Sequence, residues 1–170
     1  MKTTHFIFLG IIGILLVNCK TNENNRAAIL AKTDSLEKLA NSYTDQHDKN
    51  ELNKRMVVAF YQKFFGDKDI SAADLYLGDT YVQHNPGAAN GREALKNLVG
   101  PLFKNASKTK VDIRRVAADG DLVWLHIKGN FGGKEVSIVD IFRVENEKIV
   151  EHWDVIQAVP TKSANENTMF

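Results

Sequence analysis

The sequence is short of the residues that would announce a crosslink, a metal or a membrane span. Its single cysteine, Cys19, has no partner for an internal disulfide and excludes any site built from several thiolates. Three prolines and eleven glycines in 170 residues exclude a collagen-like or low-complexity chain. Net charge is almost absent: Lys+Arg 22 against Asp+Glu 21 leaves +1, too weak a field to attract nucleic acid or an acidic surface. The apolar run at residues 6–17 is well short of the roughly 20 residues a membrane-spanning helix needs. No phosphate-binding glycine loop and no nucleophile elbow are found. What is present, 44% hydrophobic and 25% charged residues, is the composition of one ordinary globular domain with an extension.

The short apolar run has the length of a secretory leader, and the lone cysteine falls where it stops, in Leu16-Val17-Asn18-Cys19. The pattern resembles a bacterial lipoprotein signal peptide over residues 1–18, which implies lipidation of Cys19. An exported protein anchored to a membrane through that lipid, in the periplasm or at the cell surface, is therefore expected. Asn18 departs from the small residue usual before such a cysteine, and an ordinary signal peptide is the plainer alternative. Residues 20–26, polar and asparagine-rich, read as a tether. Ile29, Leu36, Leu39 and Tyr43 recur at helical spacing, predicting a short amphipathic helix over 27–43, and 44–50 reads as a linker. The expected organisation is thus 1–18 signal, 19–51 tether with a short helix, 52–160 domain and 161–170 flexible tail.

Within 52–160 the pattern changes once. Met56, Val57, Phe60, Phe64 and Phe65 form a helical stripe that Gly66 ends, Ser71 can cap a second helix, and Leu95, Leu98, Leu102 and Phe103 mark a third over 91–104. A short strand is expected at 80–84, before the Asn85-Pro86-Gly87 turn. From Thr109 the period is that of strands: four follow one another, turned at Asp119-Gly120, Gly132-Gly133 and Asn146-Glu147. Helices first and antiparallel strands after give an α+β layout, helices on one face of a curved sheet.

Asp140 is the residue of most chemical interest. It alternates with Ile138, Phe142 and Val144, so it lies on an apolar strand face. An unpaired carboxylate there costs several kcal/mol, roughly, unless a polar cavity serves it, which is the setting of a general base. A structural pairing with Arg143 or Arg114 accounts for it equally well. A regular hairpin about Asn146-Glu147 sets Phe142 opposite Glu151 and Asp140 opposite Trp153, and sends His152 and Asp154 to the outer face; a bulge, which the sequence leaves open, would change that. Glu151 then shares the Asp140 face, and Val139, Ile141 and Ile156 lie opposite, suiting a homodimer interface. His126 shares a face with Leu122 and Trp124, and His84 lies at the mouth of a strand. Lone histidines among apolar neighbours are more often core residues than catalysts. His84, His126 and Asp140 are metal-ligating types, but no ligand spacing supports a metal, and none is expected. Lys104, Lys108 and Lys110 lack interleaved aromatics and read as a solvated edge, so no nucleic-acid partner is expected.

Three segments carry a family resemblance: Tyr81-Val-Gln-His-Asn-Pro86, Gly91-Arg-Glu93, and the long run from Asp140 to Gln157. Together they resemble the SnoaL-like polyketide cyclases of the nuclear transport factor 2-like superfamily. The resemblance implies a cone of three helices against a curved antiparallel sheet. It also implies cofactor-free aldol chemistry on a small carbonyl compound, with Asp140 as acid/base and His126 and His84 beside it. Gln83, Trp124, Trp153, Phe142 and Tyr81 are then the expected substrate-binding residues. The usual acidic-glycine turn is replaced by Glu145-Asn146-Glu147. The same pocket used only to bind a ligand or protein is the non-catalytic alternative.

Overall fold

The computed structural model describes the backbone of residues 5–170 and the side chains from residue 22 onward. The signal-peptide and Cys19 expectations fall outside those described side chains. Among the described residues no helix is long and apolar enough to cross a membrane.

Helix α1 runs His5–Tyr61. The polar stretches expected as tether and linker are helical within it. Between Gly13 and Gly66 the sequence holds neither glycine nor proline, so nothing stops a helix once it is nucleated. By its internal contacts the chain divides into two units, Met1–Asp45 and Gln46–Phe170. In the first, the apolar residues of the amphipathic pattern are exposed, Ile29 at 65% and Tyr43 at 70%, and local pairs such as Lys38–Asp34 decorate the helix.

The second unit holds the end of α1, a π turn at Gln62–Gly66, α2 (Ala72–Tyr76), α3 (Arg92–Phe103) and five strands: β1 (Leu77–Gln83), β2 (Asp112–Asp119), β3 (Leu122–Phe131), β4 (Lys134–Glu145) and β5 (Lys148–Ala158). Sheet order is β1-β5-β4-β3-β2. The last four strands pair antiparallel, as the short turns require, while β1 joins the outer edge of β5 in parallel, making the sheet mixed. The hairpin turn places Asn146 and Glu147 at φ 49° and 59°, the left-handed pair of a type I′ turn that glycine would occupy without strain.

Three local expectations are revised. The first turn of α2 is held by Asp69, whose Oδ1 accepts the Ser71 amide at 3.0 Å and hydroxyl at 2.6 Å; Ser71 caps nothing. On α3 the inward residues are Leu95 and Val99, one turn apart, leaving Leu98 and Leu102 exposed. Gly66 is required by close approach: a Cβ there would lie 2.8 Å from the Thr109 carbonyl and closer still to the Gln62 side chain. Gln62 earns that space, receiving the Val111 amide at 3.0 Å and donating to the Thr109 carbonyl at 3.1 Å, which ties α1 to the start of the sheet.

The core lies between the α1 end and the sheet. Val57, Phe60 and Phe64 meet Val123, Leu125 and Ile127 of β3, Phe142 of β4 and Ile149 of β5, all at most 1% exposed. The π turn shifts the helical phase, so Tyr61 and Phe65 also face inward, their rings 4.7 Å apart.

Candidate functional site

The hairpin expected to display Asp140 contains a bulge. Val144 pairs with Ile149, but Arg143 pairs with Glu151, so Val150 is an extra residue on β5. Every later pair moves by one: Phe142 opposes His152, Ile141 opposes Trp153, and Asp140 opposes Asp154. Since a slip of one residue exchanges the two faces, the expected partition is reversed. His152 and Asp154 join Asp140 on the core side, while Trp153 and Glu151 go to the outer face. Ile156, opposite Ile138, is likewise on the Asp140 side, and Val155 takes the outer position it was expected to hold.

Around Asp140 the contacts are polar and specific. Its Oδ1 lies 3.1 Å from His152 Nε2, and its Oδ2, buried, has no hydrogen-bond partner. His152 Nδ1 lies 3.0 Å from Gln83 Oε1, which also accepts the Asn85 backbone amide at 2.9 Å. A backbone N–H can only donate, so that Gln83 atom is the carbonyl oxygen, and His152 must donate to it from Nδ1. With Nδ1 donating, the Nε2···Oδ1 contact is a hydrogen bond when one proton is shared between those two atoms. Asn85 is oriented the same way: its Oδ1 accepts the Gly87 amide at 2.7 Å, leaving Nδ2 to donate to both Asp154 oxygens at 2.8 and 2.7 Å. The Phe142 ring stacks on His152 at 4.7 Å.

Two buried tyrosines border the carboxylates. Burial first, then the charge of Asp140, pushes the hydroxyl pKa of Tyr61 far above its usual value and raises that of Tyr81 in the same way. The Tyr61 hydroxyl also approaches Asp140 closely enough to add to the shift, but not in hydrogen-bond geometry, so Oδ2 stays unpartnered. Both hydroxyls are neutral donors at any ordinary pH. A tyrosine whose folded pKa exceeds its unfolded value of about 10 contributes stability that is complete below pH ~10 and is lost as pH rises above it. Unfolding free energy should thus fall above pH ~10 by up to about 1.4 kcal/mol per pH unit for each tyrosine. Urea titrations at alkaline pH check this; an unchanged slope in Tyr61→Phe would refute it.

The remaining expected site residues are elsewhere. His126 pairs with Val139 on the outer face, where its ring contacts Arg115 and Ser137 at 2.9 and 3.0 Å and stacks on Phe170 at 6.1 Å. Trp124 is on that face too, beside an open hollow of about 410 Å³ that it lines with His126 and Val139. His84 stacks flat on Trp153 at 4.6 Å and meets Glu151 Oε1 at 2.8 Å. Glu151 also accepts from Arg143 Nε at 2.7 Å, and these two partners, Arg143 foremost, hold its carboxyl below the usual range. So His84, His126, Trp124 and Trp153 do not converge on Asp140, because strand alternation turns them outward. Gln83, Tyr81 and Phe142 do. Sequence reasoning missed Tyr61 and Asn85, and placed His152 and Asp154 on the opposite face; alternation from Tyr81 through Gln83 to Asn85 was the signal for the second of these.

A model of the SnoaL-like domain matches residues 57–152, more than half of the chain. Among curated proteins none matches. Solved structures with the same fold include an NTF-2 like protein of unknown function from Burkholderia xenovorans LB400, at 20% identity and TM-score 0.54, covering 67% of this chain and 89% of that one. An LEH-like epoxide hydrolase from M. tuberculosis aligns at 22% identity and TM-score 0.52, over 64% of this chain and 85% of its own. A candidate polyketide cyclase from Acidithiobacillus ferrooxidans aligns at 19% identity and TM-score 0.51, over 62% and 87%. At these identities the likeness is one of fold, and the same fold serves different chemistries.

Proposed function

Since the chain belongs to the SnoaL-like family, we propose that it is an enzyme that removes a proton beside the carbonyl of a small molecule, with Asp140 as the base. One observation carries this reading: Asp140 has one oxygen held by His152 and the other buried without a partner. A buried carboxylate oxygen that no protein group donates to is relieved by accepting a proton from carbon. The carbon–hydrogen bond breaks, the proton passes to Oδ2, and the electron pair moves onto the carbonyl oxygen. The developing oxyanion needs neutral donors in a dry setting, and the Tyr61 and Tyr81 hydroxyls are such donors. Attack of the enolate carbon on a second carbonyl of the same molecule forms a carbon–carbon bond, and the resulting alkoxide takes the proton back from Asp140 to give the aldol; return of the proton to another carbon instead gives an isomerisation. No cofactor enters either sequence.

The test is exchange of α-protons in D2O, followed by NMR over a panel of 1,3-dicarbonyl compounds. Exchange faster than in buffer for at least one compound is expected, and no acceleration across the panel would overturn the reading.

The proposal extends to the N-terminus and the assembly. Cys19 is lipidated in the exported protein, which an intact mass of the mature chain checks. A homodimer forms through the outer sheet face, now with Val139, Ile141 and Val155 in place of Ile156; light scattering showing a monomer at micromolar concentration refutes it.

A further inference from the structure

We propose that Asp140, His152 and Asp154 form a binding site for a divalent cation of the zinc type. One donor atom from each lies within 4.8 Å of the others. Donors about 2.0–2.2 Å from a shared tetrahedral ion sit about 3.3–3.6 Å apart, so side-chain movements of about 1 Å close the set. Imidazole Nε2, the unpartnered Asp140 Oδ2 and an Asp154 oxygen are the atoms we assign as donors, since Nδ1 is engaged by Gln83. Asp140 is only 3% exposed, and its Oδ2 is the one buried side-chain polar atom among the described residues without a partner. Two carboxylates and a histidine, Asp140 and His152 buried and Asp154 half-buried, carry an excess of negative charge that one proton on the His152 contact only halves. A divalent ion neutralises it.

The surrounding shell is the one a metal site requires. A ligating histidine donates its other ring N–H to a carbonyl, and ligating carboxylates are held by further donors. Here His152 Nδ1 donates to Gln83 Oε1, and Asn85 Nδ2 holds Asp154. The tautomer set by Gln83 leaves the Nε2 lone pair for a ligand. One nitrogen and few oxygens suit zinc or a neighbouring transition ion; calcium takes six to eight oxygens, and magnesium keeps an octahedron of water and oxygen. Sequence spacing hid the set because its members come from two strands, brought opposite one another by the bulge at Val150. An ion on Oδ2 occupies the atom assigned as base, so metal binding and proton abstraction exclude each other. That consequence rests on the function proposed above; the binding itself does not.

Titration calorimetry of the full chain with Zn2+ tests the site. One ion per chain should bind at this cluster, with affinity falling about 10-fold or more in Asp154→Asn and in His152→Gln, and unchanged in His126→Gln on the outer sheet face. Circular dichroism verifies that the variants fold. Should His152→Gln not fold, Asn85→Ala takes its place, with a loss of about 10–100-fold. No binding, or equal affinity in the wild type and Asp154→Asn, overturns the site. A chain that binds Zn2+ yet, once stripped of metal by a chelator, exchanges no α-protons supports the site and overturns the function; exchange without a Zn2+ site does the reverse.

Discussion

Asp140→Asn should reduce α-proton exchange by about 10²–10⁴-fold, the range a positioned general base contributes. The amide has the shape of the carboxylate and keeps an oxygen for the His152 contact at 3.1 Å, so the cluster stays assembled. What is lost is basicity at Oδ2, where the proton is received. The fold should survive, because the substitution removes a buried charge and leaves the Phe142 and Leu125 neighbours unchanged. Exchange rates by NMR and thermal unfolding of the same sample separate the two effects. Wild-type exchange in a folded Asp140→Asn protein would remove Asp140 from the mechanism and leave the two tyrosines without a partner to serve.

Phe60→Ala should lower the unfolding free energy by about 3–5 kcal/mol, a large share of the roughly 5–15 kcal/mol a domain possesses. Phe60 is fully buried and its ring centroid lies 5.3 Å from Phe64, 5.9 Å from Tyr76 and 6.1 Å from Phe142. Truncation leaves a cavity at the centre of this aromatic cluster, which close packing cannot fill without moving backbone. Phe142 has the Phe60 ring on one side and the His152 ring at 4.7 Å on another. Loss of its support should therefore loosen the site as well as the core, and exchange activity should fall with stability. Urea denaturation measures the first effect; a loss under about 1 kcal/mol would show that the cluster can repack around the gap.

The strands were legible because period-two alternation and glycine- or asparagine-bearing turns are local signals. Four of the five strands begin and end within a few residues of their expected limits. The long helix was less so: an asparagine-rich stretch reads as a tether, yet with no breaker between Gly13 and Gly66 the backbone continues through it. The edge position of β1 was not legible either, since parallel pairing with a strand some seventy residues later leaves no local mark.

Asp140 is the residue on which sequence and structure part. By itself the sequence determined that Asp140 sits on an inward, apolar strand face, because alternation with Ile138 and Phe142 requires it. It also determined the family, through the segments that surround that strand. Only the tertiary structure decided which residues meet it. One extra residue, Val150, is invisible to any pattern that counts by two, yet it exchanges the faces of everything beyond it on β5. That exchange brings His152 and Asp154 to the carboxylate and carries Trp153 away. Gln83 and Asn85 arrive from β1 and the turn after it by a pairing no local rule specifies. Side-chain direction along a strand is a local property, whereas register between strands is settled by the packing of the whole sheet.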